Sequence, residues 1–146
     1  MKTYFDHERL DVYRDAIDFC GWAGQFLARL SAKAAAKDHL DRASTSIPLN
    51  IAEGNGKFSA GDRARFLEIA RGSALECAAC LDVLVVRELA TAEEITAAKE
   101  ALVRIVQMLV GMLRKFSPRA EVMREDQGGY AEEAEHDYEH EQEHEE

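Results

Sequence analysis

Proline is almost missing from this chain, which has Pro48 and Pro118 and no other in 146 residues. Long stretches are therefore free of the residue that most strongly interrupts a helix. No run of 18 or more apolar residues occurs, which excludes a membrane-spanning helix of ordinary length. The opening residues, Met1-Lys2-Thr3-Tyr4-Phe5-Asp6-His7-Glu8, lack the apolar core of a signal peptide, so a cytoplasmic location is the expectation. Cysteine is scarce: Cys20, Cys77 and Cys80 are odd in number and lie among apolar neighbours. Such a set fits reduced thiols in a reducing compartment and not a disulfide framework. What is present is 47% apolar residues in a chain of single-domain length, enough to bury a core without metals or disulfides.

The net charge of −10 is unevenly placed. Residues 119–146 carry twelve acids and two bases, and residues 1–118 carry sixteen of each. The acidity therefore belongs to the C-terminal segment, and the rest is charge-balanced. Whole-chain charge is no argument against a polyanionic partner. Gln127-Gly128-Gly129 marks a linker, and the residues beyond it are mostly Glu, His, Asp and Ala. Like charges repel and little apolar area is available there, so a disordered tail is expected. The division is a body over 1–118 and an acidic His/Glu-rich tail over 119–146.

Apolar spacing predicts four helices. The first runs over 8–33, capped by Asp6 or His7, with two apolar stripes: Leu10, Tyr13, Ile17, Cys20, Leu27, and Val12, Ala16, Phe19, Ala23, Phe26, Leu30. One core needs one stripe; two suggest a subunit interface, or a central helix wrapped by its own neighbours. The second starts near Lys37-Asp38, contains Pro48 and stops at Gly54-Asn55-Gly56. Ser59, with Asp62 three residues on, caps a third helix reaching Glu88, with the apolar line Phe66, Ile69, Ala70, Ser73, Ala74, Cys77, Leu81, Leu84. Thr91-Ala92-Glu93-Glu94 caps a fourth, lined by Ile95, Ala98, Leu102, Ile105, Val106, Leu109, Met112, Leu113 and Phe116 and ended by Pro118. Short connections make successive helices antiparallel neighbours. The fold class is all-α, an antiparallel up-down four-helix bundle with a disordered acidic C-terminal tail.

Residues 40–76 carry a recognisable signature: Ser46-Ile47, Asn50-Ile51-Ala52-Glu53-Gly54, Arg65-Phe66-Leu67, Ala70-Arg71-Gly72-Ser73 and then Glu76. Together with the opening Asp11-Val12-Tyr13-Arg14-Asp15-Ala16, it resembles the four-helix-bundle family of 23S rRNA intervening-sequence proteins over roughly residues 8–117. It is also similar to the accessory proteins of diversity-generating retroelements. The resemblance implies a homopentamer, association with nucleic acid and no enzymatic activity.

Four groups of residues merit a chemical reading. Arg42, Asn50, Glu53, Arg71, Ser73 and Glu76 are polar positions among apolar ones. Buried charge is costly unless paired, so a structural network is expected, with Glu53–Arg71 or Arg42–Glu76 as pairs. Lys57, Arg63 and Arg65 gather around the turn between the second and third helices, where phosphate contacts would be multiplied in a ring of subunits; the alternative is solvated surface. The aromatics, Trp22 included, sit mostly at core spacing, so no base-stacking platform is evident. Finally, His136, His140 and His144 repeat every four residues, and His140 to His144 matches H-E-x-x-H. A protease needs that motif on a rigid helix in a cleft, so weak divalent-metal binding or a merely solvated tail is preferred. Cys77-Ala78-Ala79-Cys80 lacks the further ligands of a zinc site. The expected function is a non-enzymatic oligomeric interaction protein, without a cofactor, contacting RNA or a ribonucleoprotein. A protein-binding scaffold without nucleic-acid contact is the second reading.

Overall fold

The computed structural model describes residues 2–30 and 35–116. A short 3-10 turn, Asp6–Arg9, precedes α1 (Asp11–Ala28), α2 (Ala35–Asn55), α3 (Ala60–Val86) and α4 (Ala92–Phe116). Helices α1 and α3 each pack on both α2 and α4, which makes a four-helix bundle. Its direction follows from paired residues. Asp6, in the turn leading into α1, meets Asn55 at the end of α2, and Cys20 meets Ser44 across α1 and α2. Ser46 meets Ser73 and His39 meets Glu76 across α2 and α3, and Asp82 meets Lys99 and Arg63 meets Phe116 across α3 and α4. In each case numbers rise on one helix as they fall on the next, so neighbours are antiparallel.

The first helix differs from the continuous 8–33 segment expected. Leu10 is extended, with ψ 126°, and separates the 3-10 turn from α1. Neither Asp6 nor His7 caps the α-helix: Leu10 is its N-cap and supplies no side-chain hydrogen bond. Asp6 instead accepts from Asn55 Nδ2 at 3.0 Å, and His7 packs edge-on against Tyr13. A tertiary contact to the end of α2 thus takes the residue that local pattern assigns to capping. Of the two stripes on α1, Val12, Ala16, Phe19, Ala23 and Phe26 of one and Leu27 of the other are buried, whereas Ile17 is exposed and Leu10, Tyr13, Cys20 and Leu30 are half-buried.

Pro48 lies inside α2 and is buried. Having no N–H, it leaves the carbonyl of Ser44, four residues back, without its helical donor. The Cys20 thiol of α1 donates to that oxygen at 2.8 Å. A side chain of the neighbouring helix thus repairs the break.

On α3 the buried line is Ala64, Leu67, Ala70, Ser73, Ala74, Cys77, Cys80, Leu81 and Leu84, while Ile69 is exposed and Phe66 half-buried. The expected line is therefore displaced towards Leu67 at its start. Apolar residues occur nearly all round this helix, so periodicity does not single out one face. The two expected caps form: Ser59 Oγ accepts from Asp62 N at 3.1 Å, and Thr91 Oγ1 from Glu94 N at 3.2 Å.

At the other end of α3, Glu88 adopts φ 61°. Its N–H donates to Val85 O and that of Leu89 to Leu84 O, a Schellman motif that ordinarily carries glycine at the left-handed position. A side chain there costs about 1 kcal/mol. Glu88→Gly is expected to raise the unfolding free energy by up to that amount, read as a higher urea midpoint at unchanged slope; an unchanged or lower midpoint would refute it.

Candidate functional site

Residues 56–59 join α2 to α3, and both flanks hold this turn firmly. The N–H of Gly56 donates to Ala52 O and Glu53 O, and that of Lys57 to Gly54 O. Arg63, in the first turn of α3, folds back so that its Nε donates to Lys57 O at 2.6 Å. Lys57 Nζ lies 4.9 Å from the centroid of the Phe66 ring, and the Arg65 guanidinium carbon 5.5 Å from it. The Arg63 guanidinium carbon is 5.6 Å from the ring of Phe116, the last residue of α4. The helix packing thus brings Lys57, Arg63 and Arg65 together and adds the end of α4, where Lys115 is exposed.

Among the described residues none of these three cations is in an ion pair. Their charge is moderated by aromatic faces, each such contact contributing about 0.5–1 kcal/mol at exposed sites, and not by carboxylates. That leaves the positive field available to an external anion.

Phe58 sits in the same turn with a relative exposure of 103%, and among the described residues its ring meets no other ring and no cation. The expectation that the aromatics sit mostly at core spacing holds for Phe19 and Phe26, which are buried, but misses this one. Phe58 lies between Lys57 and the N-cap Ser59, outside any helix. Helical spacing says nothing there, although the position in the turn was itself a signal of exposure.

The polar positions of α2 and α3 are arranged differently from the expected pairs. Asn50 Nδ2 donates to Ser46 O at 2.8 Å and to Ser46 Oγ at 2.9 Å, and Ser73 Oγ donates to Ser46 Oγ at 2.8 Å. Asn50 and Ser73 are thus joined through Ser46, a hydroxyl outside the six positions expected to form the network. Its place one turn before Asn50 was the available signal. Glu76 pairs with His39 Nδ1 at 3.5 Å instead of with Arg42. Arg42 and Glu53 are exposed. Arg71 is half-buried, and its Nε has no hydrogen-bond partner among the described residues. Helix rotation, which the pattern of polar residues leaves open, decides these partners.

Cys77 and Cys80 are buried free thiols in the middle of α3. Burial foremost, then the neighbouring Cys80, Cys20 and Glu76, pushes the Cys77 thiol up to about 12. The Cys80 thiol is also raised, by burial first and then by Glu76. Among the described residues no group of three or more His, Cys, Asp or Glu side chains is placed to hold a metal ion. A raised thiol pKa means that the folded state holds the proton more tightly. The associated stability is complete below the unfolded thiol value near 8.5 and is lost as pH rises towards 12. Native protein at pH 8 is therefore expected to leave Cys77 unmodified by iodoacetamide, while urea-unfolded protein is fully modified. Rapid native labelling, read by mass spectrometry, would contradict this.

His136, His140 and His144 lie outside the described residues, as does the whole of 119–146. Among the described residues no helix is long and apolar enough to cross a membrane.

Comparison with known proteins places these features in context. The family model described as 23S rRNA-intervening sequence protein matches residues 8–111. Among solved structures, a protein of unknown function from the S23 ribosomal protein family of Bacteroides thetaiotaomicron aligns with a TM-score of 0.65 and 24% identity, over 70% of this chain and 97% of that one. No curated protein matches.

Proposed function

The chain belongs to the 23S rRNA-intervening sequence protein family, and from that premise we propose that it is a non-enzymatic cytoplasmic protein that assembles as a homopentamer and contacts RNA or a ribonucleoprotein. The observation that carries the RNA reading is the cluster of Lys57, Arg63 and Arg65 on a firmly held turn, without carboxylate partners among the described residues. Phosphate groups are the anions such a cluster suits, and each neutralised phosphate steepens the salt dependence of binding. Repetition around a ring makes several weak contacts act together. Assembly is supported by apolar side chains left outside the bundle: Ile17 of α1 and Ile69, Leu75, Val83 and Val86 of α3 are all exposed in the single chain.

The test is a mobility shift with a structured RNA at low and moderate salt. Full-length protein is expected to bind weakly and with steep salt dependence. A chain ending at residue 118 binds more tightly, because twelve acids and only two bases are removed with residues 119–146. Alanine at Lys57, Arg63 and Arg65 together is expected to weaken binding by about tenfold or more and to flatten the salt slope by roughly 2. No binding by the shortened chain at low salt would sink the RNA reading and favour a scaffold that touches only protein. Native mass spectrometry tests the assembly separately, and a monomer would remove it.

A further inference from the structure

We infer that Phe58 is a stacking platform for an unpaired nucleobase, so that the RNA recognised at this turn is single-stranded or looped and not duplex. The inference rests on the RNA reading above and narrows it to a substrate class.

The first observation is exposure without contact. At 103%, Phe58 is the most exposed of the large apolar side chains among the described residues. The other strongly exposed phenylalanine, Phe5 at 67%, is stacked on His7. Phe58 has no ring or cation partner among the described residues, so the fold does not use it.

The second is rigidity. A free aromatic ring on a loose loop must be ordered before it binds, and that ordering weakens binding. Here the backbone on both sides is tied down. Lys57 donates to Gly54 O and accepts from Arg63 Nε, and Ser59 closes the first turn of α3. The next glycine inward fixes the approach of the two helices: a Cβ on Gly54 would lie 3.0 Å from Phe66 Cβ and 3.3 Å from Arg63 O.

The third is what flanks Phe58 in the chain. Lys57 precedes it in the chain, and Arg63 and Arg65 stand at the start of the next helix. Cations for the phosphate backbone beside a flat apolar face for the base are the two components of single-strand recognition. A duplex fits this arrangement poorly. Its bases are already stacked on each other, and A-form geometry offers them only at their edges in a deep or shallow groove. Unpaired bases present both faces. A second copy of the chain would also cover an apolar side chain, but three cations without acidic partners beside Phe58 suit a polyanion better than a surface that is itself positive at the same place.

The experiment compares Phe58→Ala, Phe58→Trp and the unsubstituted protein. The probes are an oligouridylate of about ten nucleotides, within the span of known single-strand sites, and an RNA duplex of the same length. Binding is followed by fluorescence anisotropy at low salt. Phe58→Ala is expected to weaken oligouridylate binding about tenfold, to leave duplex binding unchanged and to keep the same assembly in native mass spectrometry. Phe58→Trp is expected to retain binding and to add an emission signal, absent from the unsubstituted protein with its lone Trp22, that is quenched by oligouridylate. If Phe58→Ala binds oligouridylate as the unsubstituted protein does, stacking is overturned while the phosphate contact stands. A change of assembly in Phe58→Ala would also overturn it, by making Phe58 a subunit anchor. Absence of binding to either probe by every variant and by the chain ending at 118 would overturn the RNA reading itself.

Discussion

Replacing Phe26 by alanine is expected to lower the unfolding free energy by about 3–5 kcal/mol. Its side chain is 1% exposed, among the largest fully buried groups in the bundle. It lies two residues before the end of α1 at Ala28, with the Trp22 ring stacked on it at 4.7 Å and the Arg29 guanidinium carbon 5.8 Å from its centre. Truncation removes the buried area and leaves a cavity that the close-packed surroundings cannot fully collapse. Trp22 loses its stacking partner at the same time. Domains of this size are stable by only about 5–15 kcal/mol, so the variant would sit near the folding threshold. Urea unfolding followed by circular dichroism measures this, and a loss below about 1 kcal/mol would show that the core relaxes into the space. Phe58→Ala is the natural comparison. The ring is fully exposed, so its removal should change stability by no more than about 0.5 kcal/mol. The same residue type then reports packing at one position and recognition at the other.

The second large effect concerns Gly54. Although it is one residue from the end of α2, it is buried against α3, and a Cβ there would meet Phe66 Cβ at 3.0 Å, Arg63 O at 3.3 Å and a Leu67 side-chain carbon at 3.7 Å. The first two cannot swing aside, since one is anchored to the backbone and the other belongs to it. Gly54→Leu is expected to cost about 3 kcal/mol, because α2 and α3 must separate to admit the side chain. Gly54→Ala should cost less, as the helix propensity of alanine returns up to about 1 kcal/mol. The leucine variant has a second readout: separation of the helices displaces the turn that carries Lys57 and Phe58, so RNA binding should fall together with stability. A leucine variant as stable as the unsubstituted protein would show that the close approach is not obligatory.

Much of this architecture was legible in the sequence because its signals are local. Ser59 and Thr91 cap the helices they were expected to cap, and α4 buries Ile95, Ala98, Leu102, Ile105, Leu109 and Leu113, the backbone of its expected apolar line. The NIAEG segment was recognisable as a family signature, but Gly54 within it reads as a helix stop and turns out to be a contact point. The cluster of Lys57, Arg63 and Arg65 was visible as proximity in sequence. That the cations share the faces of Phe66 and Phe116 was not, because Phe116 lies on α4 and reaches the site only through the bundle.

By itself, the sequence determined the helices, most of their ends and the charge division between body and tail. Caps, glycine stops and apolar periodicity act within a turn or two of the chain. Tertiary structure alone decided that Ser46 joins Asn50 to Ser73, that His39 meets Glu76, that Cys20 covers the carbonyl freed by Pro48, and that Phe58 stays outside the core. Those outcomes depend on how each helix is rotated about its axis against its neighbours. That rotation is set by the summed packing of side chains far apart in the chain, which no local pattern contains.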